Sequence, residues 1–423
     1  MTARPGPSLR DALHSVDAAT LPGTDVVVAA VAAAGRRLHR RRGVLGSAAA
    51  LAMVAVAATV AVIAWPDGGG DAVVAPASST VVDSTAPSTT MPVASDPVPL
   101  APGWHALATA PAGSLTSAED SAHVVWTGTV AVAVGSHWPD ATIDVFDPAT
   151  GAWTAAGAAP LRFPTVMWTG DVVLMVGWVD ARFNTVAATF DPATGAVTLG
   201  AEMPFRYLTT PSDPWVWTGD RFFLMTYSGI VAYDPATDRW DMAAAAPIAS
   251  RTDAASVWTG AEWLVWGGAD PATGDPLADG AAYDPATDTW RTLPPAPIGA
   301  RLVSGVWTGT ELLVLAGRSG NGDHGIVMAY DDGAAYDPVR DEWRALTDGP
   351  AHPGFVPVTD GRFVYLFAKG GVVVYDSLED RWIFPAGDAP CHADASPVWA
   401  GAMVLLLGCS DGTTGGAAYV PDP

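Results

Sequence analysis

Six residues able to hold or move charge recur at one station of this chain. Asp120, Arg162, Arg251, Arg301, His352 and His392 each stand six or seven residues before a tripeptide of the form Trp-Thr-Gly or a relative of it, and Arg206 belongs with them but is displaced by an insertion. A guanidinium offers a planar fork of donors matched to carboxylate and phosphate. Four Arg and two His gathered at one point would therefore bind a carboxylate, a phosphate or an acidic sugar. The competing reading is that each Arg pairs with an acidic residue of an adjoining unit and only braces the fold. A second group comprises Asp275 and Asp279 in the stretch 269–281, and Asp323 and His324 in the stretch 317–333. These segments vary in length from unit to unit, which is where binding usually resides on a constant scaffold.

Other chemistry is thinner. Cys391 and Cys409 flank Trp399-Ala400-Gly401 almost symmetrically, so an antiparallel hairpin would set them opposite one another. In an exported protein that reads as a disulfide, with a pair of buried thiols or a metal pair with His392 as the other readings. The eight His are scattered, and no metalloprotease, nucleophile-elbow or phosphate-loop pattern occurs. Spacing therefore nominates no catalytic residue, cofactor site or metal site.

The elements that must position these residues are set by repetition. Trp-Thr-Gly recurs from Trp126, Trp168, Trp217, Trp258 and Trp307, and then as Thr359-Asp360-Gly361 and Trp399-Ala400-Gly401, at spacings of 42, 49, 41, 49, 52 and 40 residues. A second element follows each: FDPAT from Phe146 and Phe190, YDPAT from Tyr233 and Tyr283, YDPVR from Tyr336, YDSLE from Tyr375 and a weak YVPDP from Tyr419. Trp153, Trp240, Trp290, Trp343 and Trp382 come six or seven residues after the aromatic, and Val197 takes that place in the second unit. Gly supplies one tight turn, and Asp-Pro-Ala-Thr supplies another, with Pro fixing φ and Asp bonding back to the backbone. Each period of 40 to 50 residues thus encodes four short strands, the mark of a propeller blade.

The last unit ends after its third strand, whereas Trp104-His105-Ala106-Leu107-Ala108 upstream looks like Trp290-Arg291-Thr292-Leu293-Pro294. The N-terminal strand is expected to complete the last blade and close the ring. The expected fold is all-β, a seven-bladed propeller over residues 101–423. Six Trp fall at the outer-strand station and six at the turn station, which makes them core residues rather than a platform for sugars. Strands ending in small residues (Trp266-Gly267-Gly268, Ala316-Gly317), followed by Tyr-Asp-Pro and then Trp, resemble kelch-repeat β-propellers, the family that includes galactose-oxidase-like enzymes. That resemblance implies a test for a copper pocket of two His and two Tyr, one of them crosslinked to a Cys. No residue here carries over to it, and function is left open because propellers host many unrelated activities.

Charge divides the remainder. Residues 1–43 hold seven Arg and three Asp, a net +4, while the rest of the chain carries −27 of the total −23. Between them Val44 to Ala64 is free of charge and Pro, and as a helix of about 31 Å it would match a bilayer core, with Trp65 at the interface. The positive-inside rule then puts the N-terminus in the cytoplasm and everything after Trp65 outside, on a single transmembrane helix over residues 44–65. Arg41-Arg42-Gly43-Val44-Leu45 also resembles a twin-arginine signal, so secretion after cleavage is the alternative. Residues 66–100, rich in Pro, Ser and Thr, read as a disordered stalk. Acidity excludes nucleic acid as a partner. The expected partner is a protein or a cell-envelope glycan held by the variable-loop face, with an exported carbohydrate-active enzyme or galactose-oxidase-like oxidase as the alternative.

Overall fold

The structure is a computed structural model that describes residues 100–110, 123–135, 141–179, 183–205, 212–320, 327–352, 356–368, 371–387, 396–407 and 415–422. All of these lie in the second of two compact units, Ser78–Pro423. The expected cytoplasmic segment, span and stalk lie outside the described residues. Among the described residues no helix is long and apolar enough to cross a membrane.

The described strands form seven four-stranded antiparallel sheets. Blade 4 shows the plan: Ala255–Trp258, Trp263–Trp266, Gly280–Asp284 and Thr289–Thr292 pair in that order. Its first turn is fixed by Gly260 at φ 97°, a conformation that costs a residue with a Cβ. Within that turn the Thr259 hydroxyl accepts the Glu262 N–H at 2.8 Å. In the second turn Asp284 Oδ1 accepts the Ala286 N–H at 2.8 Å. These are the two turn chemistries expected from the repeated motifs.

First strands of neighbouring blades touch one another at blades 3 to 7, at blades 1 and 2, and again between blades 7 and 1, so they line the central channel. The second strand is buried along its whole length in Ala131–Val134, Trp263–Trp266, Leu312–Leu315 and Val404–Leu407. Both faces of a blade pack on a neighbour, so these strands read as continuous apolar runs instead of alternating, and the core is divided among the spaces between blades. One such space, between blades 4 and 5, holds Leu264, Trp266, Leu312, Val314 and Tyr336.

Closure follows the expected route. Gly103–Ala106 pairs antiparallel with Gly416–Val420, with Trp104 opposite Tyr419, and supplies the outer strand of blade 7. The chain thereby removes the open sheet edge that a three-stranded last blade would present.

The outer-strand Trp residues rivet successive blades. Nε1 of Trp153, Trp240, Trp290, Trp343 and Trp382 donates to Ala108, Ala201, Ala244, Pro294 and Thr347 carbonyls of the preceding blade, at 2.9 to 3.0 Å. Beside them sits a second clasp. Asp238, Asp288 and Asp380 accept both the Tyr hydroxyl of their own blade and a backbone N–H of the preceding one, the latter from Ala201, Ala244 and Thr347. Asp341 accepts the Tyr336 hydroxyl and the Arg291 guanidinium of blade 4 instead. Burial, followed by the adjacent carboxylate, pushes the hydroxyls of Tyr233 and Tyr283 far above the ordinary phenol value, so they stay donors.

Candidate functional site

The connections between second and third strands, and those between blades, emerge at one end of the ring. At this end of the blade 3 to 6 sector a cavity of about 610 Å³ opens. Its mouth is formed by Ser212, Asp213, Asp253, Ser304 and Arg318, and it runs down the channel past Trp215 to Trp217 and Trp258.

Each mouth residue is held by the start of an innermost strand or by the end of a second one. Asp253 adopts φ 52°, a left-handed conformation that Asp tolerates better than most residues. Its N–H donates to the Ser212 carbonyl at 2.9 Å and its carbonyl accepts the Val303 N–H at 2.9 Å, so it links blades 3, 4 and 5. The Arg318 backbone exchanges two hydrogen bonds with Leu302, and its side chain reaches back to Asp253 at 3.5 Å. Both charged groups of this pair remain about one-third exposed, which leaves them able to bind a ligand. Asp213 is nearly buried. Below them the Ser256 hydroxyl donates to the Trp215 carbonyl at 2.7 Å and accepts Trp263 Nε1 at 2.9 Å, which fixes the wall. In blade 1 His123 opens the innermost strand, and burial lowers its pKa below the ordinary imidazole value.

The Arg station of the repeat behaves differently from an anion site. Arg251 and Arg301 are each 1% exposed. Arg251 Nη1 donates to the Gly267 and Asp279 carbonyls and to Asp279 Oδ1, each at 3.0 Å, and its Nε donates to Ala249. Arg301 donates to Ala316, Gly299 and Asp332 carbonyls and forks onto both Asp332 carboxylate oxygens at 2.7 and 3.0 Å. These two guanidiniums are braces, and they pair with Asp of their own blade rather than of a neighbour. Each pins the connection between second and third strands of blades 4 and 5, and neither lines the cavity. Asp279, expected on the loop face as a ligand group, is the partner of Arg251. Asp275 is exposed at the tip of the same connection, where its carbonyl accepts the Asp270 N–H at 2.9 Å.

His352 is half-buried and joins blade 5 through its backbone, donating to Tyr330 and accepting from Gly317, both at 3.2 Å. Arg162 is half-buried at the start of blade 2. Arg206, His392, Asp323, His324, Cys391 and Cys409 lie outside the described residues. The cavity is built instead from Asp253, two residues beyond Arg251, and from Arg318, directly after Gly317. The signal for Arg318 was a charged residue interrupting the small-residue end of a second strand; for Asp253 there was none.

A copper pocket needs Tyr and His side chains free to converge. Tyr233, Tyr283, Tyr336 and Tyr375 each commit their hydroxyl to an inter-blade Asp, and among the described residues no three His, Cys, Asp or Glu gather. The described residues do not fit that group.

The chain matches no family model and no curated protein. Among solved structures it is similar to one titled "Structure of YjhT", with 11% identity and a TM-score of 0.47, covering 66% of this chain and 99% of that one.

Proposed function

We propose that the chain is a membrane-anchored, kelch-like binding module that displays its propeller outside the cell and takes a protein or a cell-envelope glycan at the channel mouth. Support for the anchor is the basic segment 1–43 followed by the uncharged stretch from Val44 to Ala64. The observation that carries the binding reading is the cavity walled by Trp215, Ser212, Ser304 and the half-open Asp253–Arg318 pair. An apolar wall with a few convergent polar groups is the usual make-up of a ligand site. A second reading, an exported carbohydrate-active hydrolase, draws on Asp213 and Asp253 lining the same cavity, since glycoside hydrolysis uses two carboxylates.

The test is binding of full-length chain to fractionated envelope polysaccharide and envelope protein, with Asp253→Asn and Arg318→Ala against the opposite-rim control Asp241→Ala. Loss of about tenfold or more in affinity at the mouth alone is expected. Equal binding by all four proteins refutes the site, and turnover of a glycan that Asp213→Asn abolishes promotes the hydrolase reading. Stoichiometric copper in the purified chain would overturn both, and a cytoplasmic location of the propeller, read by protease protection in intact cells, would overturn the topology.

A further inference from the structure

Blade 2 departs from the other blades at the same end of the ring. Phe163 and Phe183 are 46% and 39% exposed, and both hold left-handed backbone, at φ 46° and 62°. Both rings pack edge-to-face on Trp178, at centroid distances of 5.5 and 4.7 Å and interplanar angles of 71° and 83°. Bulky residues rarely adopt positive φ, and each such residue costs about 1–2 kcal/mol. The arrangement is built into the sheet. The register between Arg162–Trp168 and Val173–Trp178 shifts between Arg162 and Thr165, which turns Phe163 outward. Gly177 makes room for that bulge: a Cβ there would meet the Arg162 carbonyl at 2.7 Å and Pro164 Cα at 3.0 Å.

Blade 5 uses the same stations for packing. Five residues before the turn Trp it has Leu302, fully buried, and five residues after the start of its second strand it has Gly317. Blade 2 exchanges this packing for three aromatic rings at the surface, at a cost in backbone strain. Strain that packing does not need clusters at ligand clamps.

We propose that Phe163, Trp178 and Phe183 form a second site, which takes one pyranose ring of a neutral glycan. None of the three lines the channel-mouth cavity, so this site does not depend on the reading given above. The occupant follows from chemistry and charge. An aromatic face is electron-rich, and the C–H face of a sugar ring presents weakly positive hydrogens to it. Residues 44–423 carry −27, which repels polyanionic polymers, whereas a neutral glycan meets no such field. The large hydrophobics exposed at this end of blade 2, among the described residues, are aromatic. Both Phe rings are already packed on Trp178, so little ordering entropy remains to be lost on binding.

The experiment titrates full-length chain, kept in a detergent without a sugar headgroup, with maltohexaose, cellohexaose, mannohexaose and oligogalacturonate by calorimetry. The variants are Phe163→Gly and Phe183→Gly, which delete a ring and relieve its left-handed strain, and Asp241→Ala on the opposite rim as the control. At least one neutral hexasaccharide is expected to bind, about tenfold more weakly in each Phe variant. The thermal midpoints of those variants should be unchanged or raised, and Asp241→Ala should bind as the unsubstituted chain does. The proposal is overturned if no neutral probe binds at millimolar concentration, if oligogalacturonate is preferred, or if the Phe variants bind normally. It is likewise overturned if they lose stability in step with binding, since the rings would then be packing.

Discussion

The inter-blade Asp clasp makes a quantitative prediction at Asp288. Its Oδ1 accepts the Ala244 N–H of blade 3 at 2.8 Å and the Tyr283 hydroxyl at 2.7 Å, and its backbone is held at φ 52°. A hydrogen bond to a charged acceptor contributes about 1.5–3 kcal/mol when desolvated, and Asp288 is exposed, so the two together are set at about 2 kcal/mol. Left-handed backbone costs a further 1–2 kcal/mol or so for a residue that lacks the local hydrogen bonding of Asp. Asp288→Ala loses the clasp and keeps the strain, about 3–4 kcal/mol in all. Asp288→Gly loses the clasp but sheds the strain, against roughly 0.5–1 kcal/mol of extra backbone entropy, and so falls at about 2.5–3 kcal/mol. Asp288→Asn keeps an acceptor and tolerates the backbone, at about 1 kcal/mol.

The order Ala, then Gly, then Asn is the sharper statement, because errors common to the three estimates cancel. Blades 1 and 2 already carry Gly151 and Gly195 at this station, at φ 68° and 73°, so the scaffold accepts Gly there. Equilibrium urea unfolding reads the order directly, as a midpoint shift of about 1 M for Ala at constant slope. Amide exchange at Ala244 reports the same event locally and should speed up in Ala and Gly but little in Asn. If Gly is as damaging as Ala, the strain argument fails. If all three lie within the error of the parent chain, the clasp contributes nothing and the Trp rivets alone join the blades.

Other outcomes follow from the same geometry. Trp104→Ala should cost about 3–5 kcal/mol, and a chain beginning at Leu107 should aggregate, since either weakens the strand that covers Gly416–Val420; size-exclusion chromatography and thermal unfolding measure this. Arg301→Met should destabilise by about 3 kcal/mol in urea, because it strands buried carbonyl acceptors, yet leave channel-mouth binding intact. The Ala244 N–H and then the Tyr283 hydroxyl hold the Asp288 carboxyl below its ordinary value of 3.8, so its contribution is present above that pH and is lost as pH falls through the lower folded value. Tyr233 and Tyr283, raised by burial and then by Asp, contribute below pH 10 and lose it as pH climbs further; urea midpoints against pH should therefore fall at both ends, with a shallower acid limb in Asp288→Asn.

What was legible in the sequence was whatever is local and repeated. Turn residues state their own geometry, so blade number, turn placement and the closing strand could be counted before any coordinate was known. The Arg station was legible as a position but not as a role. Arg251 and Arg301 become braces only because the connections after Gly267 and Ala316 fold back and bring Asp279 and Asp332 under them, and that return depends on tertiary packing. Asp253 and Arg318 meet from 65 residues apart, a separation that periodicity does not encode. Phe163 reads in the sequence as another apolar residue of an innermost strand, because the sign of φ is invisible there.

Departures from the repeat carry information of another kind, and one shows how far it can be taken. In blades 4 and 5 the residue after the outer-strand Trp is Arg291 or Arg344, which forks onto Glu262 or Glu311 of the first turn at 2.7 and 2.9 Å. In blade 3 the two stations carry the opposite signs, Asp241 after the Trp and Arg221 in the turn, and there Arg221 meets Asp234 of the second turn at 4.0 Å instead. The forked pair shared by blades 4 and 5 marks a scaffold feature: a single reversal such as Arg291→Asp should destabilise, and adding Glu262→Arg should restore part of the loss in a double-mutant cycle, by about 0.5–1 kcal/mol for a part-exposed pair. Phe163, Trp178 and Phe183 have no such counterpart in the repeat. Where blade 5 has the buried Leu302 and Gly317, blade 2 has Phe163 and Trp178, and Phe163 and Phe183 stay exposed on left-handed backbone; strain kept for rings that remain at the surface is what a ligand clamp requires.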